Sequence, residues 1–525
     1  MKQLLTYLPY RLLFLFTLSA FYGIDVQAQA NFNSNTTSGN WNNPSSWTRV
    51  SGTDADGIPD ADDNVTIKAD NIITVNVASA ANSVTLERRG GNKTINLNAN
   101  LTINGSLLID RPRTSGTSSL VSVGANTLQV GGNITINGTN NRRGILSVST
   151  GKVILTGDLG SSANTNAQLN FTGAGTFSIA GSWGFSASAT FAPSTGTVNF
   201  NGNAQSITTA TTFNNLSINS TTSTTLNADV TVNGIFTLAS GKAIANGFSW
   251  NVASSAAAAI VRTNGYVTGN LKRAVATGSN TYLFPVGTTA GYTPASLLLN
   301  GVTTAGSLTV SAVDGVGANY PTALHTSKRL ARNWRITNAG VAGFNSTSSA
   351  TFTYLAAPSD LAGGASATAM KAYAFSGSAF YPNTTSTTAN SFTYTALNTF
   401  GEFGAGECKG TLAATFTKTM ASSCSGADGT ITVTASGGVG AYTYSWTSTP
   451  AGYTANTAAI TNLSPRDYTI VVSDVSKCTA TIPDITIWKA LAPTITFTGG
   501  GSSACGNTGY VTMYAGNGIA PYTYS

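Results

Sequence analysis

The densest group of potential ligands in the sequence is a short run of carboxylates near the N-terminus. In order along the chain, it contains Asp54, Asp56, Gly57, Asp60 and Asp63. Closely spaced carboxylates around a turn glycine supply the oxygen ligands that Ca²⁺ prefers. We therefore predict a structural Ca²⁺ site at these four aspartates, and the alternative is an acidic turn at the protein surface.

Groups suited to catalysis are sparse. His325 is the only histidine, and the segment around it carries no nucleophile motif, which favours a structural or surface role. Asp110, beside Arg111, is the best candidate for a catalytic carboxylate. Asp158 follows at a spacing of nearly two sequence repeats, so the two aspartates could face one another two coils apart. This pair would suit a polysaccharide lyase or glycosidase.

The elements that must position these groups are short apolar-alternating segments, each ending at a glycine. Alternation indicates strands with one buried face. The glycines recur with a mean period of roughly 26 residues, which is typical of solenoids. Because one such strand set cannot bury its apolar face alone, we predict a right-handed parallel β-helix over residues 95–253. The six glycines are Gly105, Gly132, Gly157, Gly181, Gly202 and Gly234.

Residues 31–94 are predicted to form the N-terminal cap of this helix. A solenoid must cover its open end, and Trp41 and Trp47 supply two large aromatic side chains just before the first predicted strands. Stacking on a sugar is the alternative role for these indoles.

The composition indicates an all-β exported protein. Charged residues make up only 9%, hydrophobic residues 41%, and no helical apolar stripe persists beyond the N-terminus. The net charge of +7 is spread thinly, so we expect solvated loops at Arg88-Arg89, Arg142-Arg143 and the basic run 328–332, and no nucleic-acid binding. Residues 1–30 have the pattern of a signal peptide, and no later segment is predicted to span a membrane.

Residues 254–407 are predicted to form an antiparallel β-sandwich, because longer strands alternate there with turns. This segment looks like a module common in large exported proteins of gliding bacteria. The resemblance rests on Phe284-Pro-Val-Gly287 and Gly291-Tyr-Thr-Pro294, and it implies no activity.

Residues 408–489 contain a set of motifs that together resemble the SprB repeat. They are Cys424-x-x-x-Asp428-Gly429, Gly437-Gly438, Tyr442-Thr-Tyr444-Ser-Trp446, Leu463-x-Pro465-x-x-Tyr468, Asp474 and Cys478. The tyrosine after Leu463 also fits the tyrosine corner of immunoglobulin-like sandwiches. Residues 490–525 begin the pattern again, since Gly438 and Tyr442 recur as Gly518 and Tyr522. This recurrence leads us to expect a truncated second repeat and a longer natural protein.

The resemblance implies a disulfide between Cys424 and Cys478 within the repeat. Cys505 would then pair beyond the sequence, and Cys408 would pair across modules or stay free. Four cysteines allow three connectivities, and the residues alone do not choose among them. The acidic run, for its part, resembles the Asp-x-Asp-Gly-x-x-Asp calcium loops of thrombospondin type 3 repeats.

The SprB resemblance implies a non-enzymatic surface protein of gliding bacteria, exported by the type IX secretion machinery and engaged in adhesion or motility. Its expected ligand is a surface polysaccharide or another cell-surface molecule. The alternative is a secreted carbohydrate-active enzyme with a catalytic β-helix.

Overall fold

The computed structural model describes residues 29–356, 359–377, 379–383, 386–388, 390–422, 426–488, 494–501, 510–517 and 522–525. Over these residues the chain is all-β, as predicted, and its helical content consists of three short 3-10 turns. These turns are Pro44–Ser46, Ala257–Ala259 and Ala367–Ala369. The predicted signal peptide lies outside the described residues, apart from its last two positions. Two compact units make up the chain, Met1–Thr221 and Thr222–Ser525.

The first unit is a parallel β-solenoid with three strands in each complete coil. The strands stack in three columns, named face 1, face 2 and face 3 in chain order. Face 1 comprises Ser38–Asn40, Asn71–Val75, Lys93–Leu97, Ser118–Ser122, Arg143–Val148, Ala167–Phe171 and Thr190–Ala192. Face 2 comprises Ser79–Ala81, Leu101–Ile103, Thr127–Val130, Lys152–Leu155, Thr176–Ile179, Thr197–Phe200 and Asn215–Leu226. Face 3 comprises Asn31–Ser34, Asn64–Ile67, Ser83–Leu86, Leu107–Ile109, Ile134–Ile136, Leu159–Ser161, Trp183–Gly184 and Gln205–Ile207. Two further strands are Trp47–Ser51, antiparallel to the first strand of face 3, and Thr211–Phe213.

The pairing register on face 2 confirms the first four glycine steps. Ile103, Val130, Leu155, Ile179 and Phe200, each two positions before its glycine, are successive pairing partners. Their side chains are at most 1% exposed, because alternate residues of every strand point into the solenoid and pack on the coils above and below.

The fifth predicted step, from Gly202 to Gly234, is wrong. Phe200 pairs with Ile218, so a further strand, Asn215–Leu226, lies inside that interval. The extra strand escaped the sequence pattern because Ile218 is followed by Asn219 and Ser220, without the glycine.

Parallel pairing extends beyond the predicted range of 95–253 at both ends. Asn64–Ile67 already pairs in parallel with Asn31–Ser34, within residues 31–94, the segment predicted to be the N-terminal cap. In the second unit, parallel pairing continues to Val286–Gly287. The glycine period does not reach these early coils because Asn82 takes the place of the repeated glycine, and its carbonyl accepts the backbone N–H of Gly105.

The second unit begins with parallel strands and continues as the predicted antiparallel sandwich. Its parallel strands are Val230–Val232, Phe236–Val252, Ile260–Arg262, Tyr266–Val275 and Val286–Gly287. One sandwich sheet contains Gly306–Asp314, Leu324–Leu330, Arg332–Ala339, Leu361–Ala362, Met370–Ser376, Ala379–Asn383 and Glu402–Cys408. The other contains Gly278–Phe284, Ala295–Val302, Ser349–Thr353, Ser386–Thr388 and Ser391–Tyr394. The two sheets pack through Trp334, whose ring centroid lies 5.0 Å from that of Phe352.

The repeat-like segment forms a two-sheet sandwich with its own apolar core. One sheet contains Ala413–Thr419, Gly429–Ser436 and Ala459–Leu463, and the other contains Thr443–Thr449, Arg466–Ser473 and Thr479–Ile487. Trp446 and Tyr468 are each 1% exposed at its centre. Two further strands, Thr494–Gly501 and Tyr510–Gly516, pair antiparallel in the segment predicted to begin the second repeat.

Candidate functional site

The acidic loop brings three of the four predicted calcium ligands together. One carboxylate oxygen from each of Asp54, Asp60 and Asp63 lies within 4.8 Å of the others. Ca²⁺ binds oxygen at about 2.3–2.6 Å, so one ion fits between ligands at this separation. Asp56 is not part of the cluster, and its exposed carboxylate accepts the backbone N–H of Ile58 at 2.8 Å.

Asp63 anchors the loop to the body of the solenoid. It is 2% exposed and accepts hydrogen bonds from the backbone N–H groups of Ala30, at 2.8 Å, and Asp60, at 3.0 Å. Burial raises the pKa of Asp63, and burial together with Asp62 and Asp63 raises the pKa of Asp60 to about 6. A bound cation would relieve the cost of holding these carboxylates ionised at neutral pH.

The two indoles predicted to cap the solenoid are buried. Trp41 is 0% exposed and Trp47 is 5% exposed, and their ring centroids lie 5.1 Å apart in an edge-to-face arrangement. Trp47 donates its indole N–H to the Trp41 carbonyl, and Trp41 donates to the carbonyl of Pro59 in the acidic loop. The alternative role in sugar stacking is therefore wrong, because neither ring face is available.

Asp110 and Asp158 do not form a carboxylate pair. Asp158 lies two coils away from Asp110. In that coil, the register of face 3 places Asp158 four positions before the residue that is stacked in line with Asp110. At 3.3 Å per residue and 4.8 Å per coil, their Cα atoms are about 16 Å apart. Paired glycosidase carboxylates lie about 5–9.5 Å apart.

Asp158 instead belongs to a ladder of side chains that ties successive coils together. The side-chain oxygen of Ser106 accepts the backbone N–H of Asn133, Asn133 accepts that of Asp158, and Asp158 accepts that of Ser182. Asp110 accepts the backbone N–H of Arg111. Both aspartates therefore have hydrogen-bond partners within the solenoid.

His325 lies in the strand Leu324–Leu330, where the pairing register shifts between Leu324 and Arg329. Its Nδ1 lies 3.2 Å from the backbone nitrogen of Lys328 and 3.1 Å from the hydroxyl of Ser327. Among the hydrogen bonds of the described residues, none joins a carboxylate to this imidazole, so the Ser-His contact lacks the third group of a catalytic triad.

The predicted disulfide between Cys424 and Cys478 is wrong, because Cys478 pairs with Cys408. The two Cα atoms lie 6.0 Å apart, within the range of unstrained disulfides. Cys408 ends the last strand of the preceding sandwich, so the bond joins that sandwich to the repeat. Cys424 and Cys505 lie outside the described residues.

Asp474 holds Cys478 in position for this bond. Its buried carboxylate accepts the backbone N–H groups of Ser476, at 2.8 Å, and Cys478, at 3.0 Å, which forms a tight turn. The other carboxylate oxygen accepts the N–H of Val439 at 3.0 Å, next to Gly438. Motif residues that lie far apart in sequence therefore meet at one end of the module, beside the disulfide.

The remaining motif residues of the repeat build its core and turns. The Tyr468 hydroxyl donates to the Ser464 carbonyl at 2.9 Å, which confirms the tyrosine corner. The Tyr442 hydroxyl donates to the Gly437 carbonyl at 2.8 Å, and Tyr522, its counterpart in the second copy of the pattern, makes the same bond to Asn517. The same hydroxyl-to-carbonyl hydrogen bond thus occurs in the predicted second repeat.

Residues 419–450 match the family model of the SprB repeat. The match covers the strands Gly429–Ser436 and Thr443–Thr449 with the turn between them. The SprB repeat is typical of cell-surface proteins of gliding bacteria. No curated protein and no solved structure matches the chain. Among the described residues, no helix is long and apolar enough to cross a membrane.

Arg332, predicted to lie in a solvated basic loop, is 2% exposed. Its guanidinium forms a bidentate pair with Asp360, at 2.7 and 3.0 Å, and a further ion pair with Asp314 at 2.7 Å. Thr288, next to the last parallel strand, accepts a hydrogen bond from Arg332 at 2.9 Å. The two acidic partners lie far from Arg332 in sequence, so local charge counting could not reveal this network.

Proposed function

We propose that the chain is an exported, non-enzymatic cell-surface protein with a role in adhesion or gliding motility. The match of residues 419–450 to the SprB repeat is the observation that carries this proposal. Export rests on the signal-peptide pattern of residues 1–30. In this proposal the solenoid and the sandwich are a scaffold that presents SprB-type modules, whose weak contacts add through effective concentration.

The fold supports a scaffold role through its continuity in the second unit. Tyr266–Val275 pairs in parallel with Phe236–Val252 on one side and antiparallel with Gly306–Asp314 on the other. The disulfide between Cys408 and Cys478 then joins the sandwich to the repeat. Force applied to the repeat would pass to the solenoid strands of this unit through hydrogen-bonded and covalent connections.

Whole-cell experiments test the surface role. Antibodies against the repeat should label intact cells, and deletion of the gene should reduce attachment or gliding, with recovery on complementation. Labelling only after cell lysis, or unchanged attachment and gliding in the deletion strain, would contradict the proposal.

The enzymatic alternative is tested with the purified chain on acidic and neutral polysaccharides. We expect no release of unsaturated or reducing ends. Release that disappears in Asp110→Asn would replace the proposed function with carbohydrate cleavage, despite the separation of this residue from Asp158.

We also propose that the acidic loop binds a structural Ca²⁺ through Asp54, Asp60 and Asp63. Adding Ca²⁺ to chain treated with EDTA should raise the melting temperature of the first unit, and Asp63→Asn should remove this increase. Asp56→Asn is the matched control, because it deletes the same charge from the same loop but outside the cluster. Equal losses in both variants would contradict a defined site.

A further inference from the structure

Three consecutive loops between face 3 and face 1 carry arginines at the protein surface. The loops are residues 87–92, 110–117 and 137–142. We call the six arginines in or directly beside them the basic corner. They are Arg88, Arg89, Arg111, Arg113, Arg142 and Arg143.

The register of the solenoid brings these arginines side by side. Leu86 pairs with Ile109, so Arg88 and Arg111, each two positions later, occupy equivalent places in neighbouring coils. The backbone N–H of Arg113 donates to the Gly90 carbonyl at 3.0 Å, which stacks the second loop on the first.

The third loop is joined to the second in the same way. The N–H of Gly116 donates to the Asn141 carbonyl at 2.7 Å, and Arg143 pairs with Ser118 on face 1. Thr139 and Arg142 exchange two backbone hydrogen bonds around a tight turn, which fixes the base of the Arg142 side chain. The basic corner is therefore a row of arginines that the backbone holds in place across three coils.

The positive charge of this corner is not neutralised locally. Residues 86–143 contain seven basic and two acidic side chains, a net charge of +5 in a chain whose total is +7. Of the two acids, Glu87 pairs with Lys68 at 3.0 Å, and Asp110 is bound to the Arg111 N–H and to the Asn137 amide. Asp70, in the preceding loop, is the other carboxylate near this segment.

All six side chains of the basic corner reach the protein surface at least in part. Four of the six arginines are exposed and two are half-buried. Within residues 29–221, all of which the structure describes, none of the six side chains forms a hydrogen bond or an ion pair, and the Nε of Arg142 is buried without a partner. The corresponding loop of the next coil, residues 162–166, is uncharged, so the row has a defined end.

We propose that the basic corner binds an acidic polysaccharide along the stacking direction of the coils. Arginine recognises carboxylates with paired hydrogen bonds. A chain of uronic acids carries one carboxylate per sugar ring, so it offers a row of anionic groups to a row of arginines. No aromatic side chain lies in the three loops to stack on a nucleobase, which favours a glycan over a single-stranded nucleic acid. This inference rests on the proposed surface function, since it supplies a ligand for it.

Titration of the whole chain with polygalacturonate tests the proposal, with dextran as the neutral probe and oligo(dT) as the other polyanion. We expect polygalacturonate to bind, dextran not to bind, and oligo(dT) to bind more weakly. The double variant Arg88→Gln/Arg111→Gln should weaken polygalacturonate binding about tenfold, because two charge contacts are lost. The control Lys152→Gln/Lys272→Gln removes two exposed charges elsewhere and should leave binding unchanged.

Equal weakening in both double variants would overturn the proposal, as would an absence of polygalacturonate binding to the wild-type chain. Oligo(dT) binding as tight as polygalacturonate binding, with the same loss in the Arg88→Gln/Arg111→Gln variant, would assign the corner to nucleic acid instead. Failure of the proposed function is seen separately, because cells without the gene would then attach and glide normally whatever the titration shows.

Discussion

Removal of the disulfide between Cys408 and Cys478 should destabilise the repeat strongly. The bond closes a loop of 70 residues, which contains most of the apolar core of the repeat; of the buried core residues, Ile485 and Ile487 lie beyond it. In the chain-entropy model this closure stabilises the folded state by about 4 kcal/mol. For a domain of this size, that loss lowers the melting temperature by about 16 °C or more. Cys408→Ser should therefore lower the unfolding midpoint of the repeat, followed by the fluorescence of the buried Trp446.

The control for this experiment is Cys424→Ser. The sequence resemblance assigns Cys424 to the bond with Cys478, whereas the structure assigns Cys408, so the two variants separate the two pairings. We expect Cys424→Ser to unfold at the same midpoint as the oxidised wild type. Cys408→Ser should instead unfold at the midpoint that the wild type shows after its disulfide has been reduced. A large loss in Cys424→Ser together with no loss in Cys408→Ser would refute the structural pairing and the argument built on it. Peptide mapping without reduction gives an independent readout of the linked cysteines.

Three further predictions concern the solenoid and the sandwich. A Cβ on Gly157 would overlap the carbonyl of Gly132, whereas a Cβ on Gly160 meets no atom within 4 Å. Gly157→Ala should therefore lower the free energy of unfolding in urea by about 1–3 kcal/mol, and Gly160→Ala should lower it much less. Burial raises the pKa of Asp60 from 3.8 to about 6, so the folded state binds its proton more tightly than the unfolded state. With Ca²⁺ removed by EDTA, the first unit should therefore lose stability as the pH rises from about 4 to about 7. The loss should be less than about 1 kcal/mol, because solvent screens this partly exposed carboxylate. A melting temperature that rises over this pH interval would contradict the prediction. Asp360→Asn removes the bidentate carboxylate from the buried Arg332, which keeps its ion pair with Asp314, and should cost about 1.5–3 kcal/mol in urea unfolding. A change below about 1 kcal/mol would show that the bidentate pair is dispensable.

The periodicity of the solenoid could be predicted because the backbones of neighbouring coils come into close contact once per coil. That contact requires a glycine, which is visible in the sequence. A Cβ on Gly132 would lie 2.8 Å from the carbonyl carbon of Gly105, and the same stacking recurs at Gly157 and Gly181. Where the turn is built differently, as at Asn82, the coil is present but the signal is absent. The glycine steps therefore report the middle of the solenoid accurately and its ends poorly.

The candidate sites were predictable only where the interacting residues are close in sequence. The acidic loop was found because its ligands all lie in one short segment, although Asp56 turned out to cap the turn. The basic corner was missed because its arginines are separated by whole coils, and only the register shows that they are neighbours. The disulfide was misassigned because the resemblance covers the repeat alone, whereas Cys408 belongs to the preceding sandwich.

The strand Tyr266–Val275 has a mechanical consequence. Both of its edges are occupied by backbone hydrogen bonds, to Phe236–Val252 on one side and to Gly306–Asp314 on the other. A joint of this kind cannot swivel as a peptide linker would, because rotation would require several bonds to break at once. Under the proposed surface role, tension on the repeat would pass to the sandwich through the disulfide between Cys408 and Cys478, and the junction would resist it through the bonds on both edges of this strand.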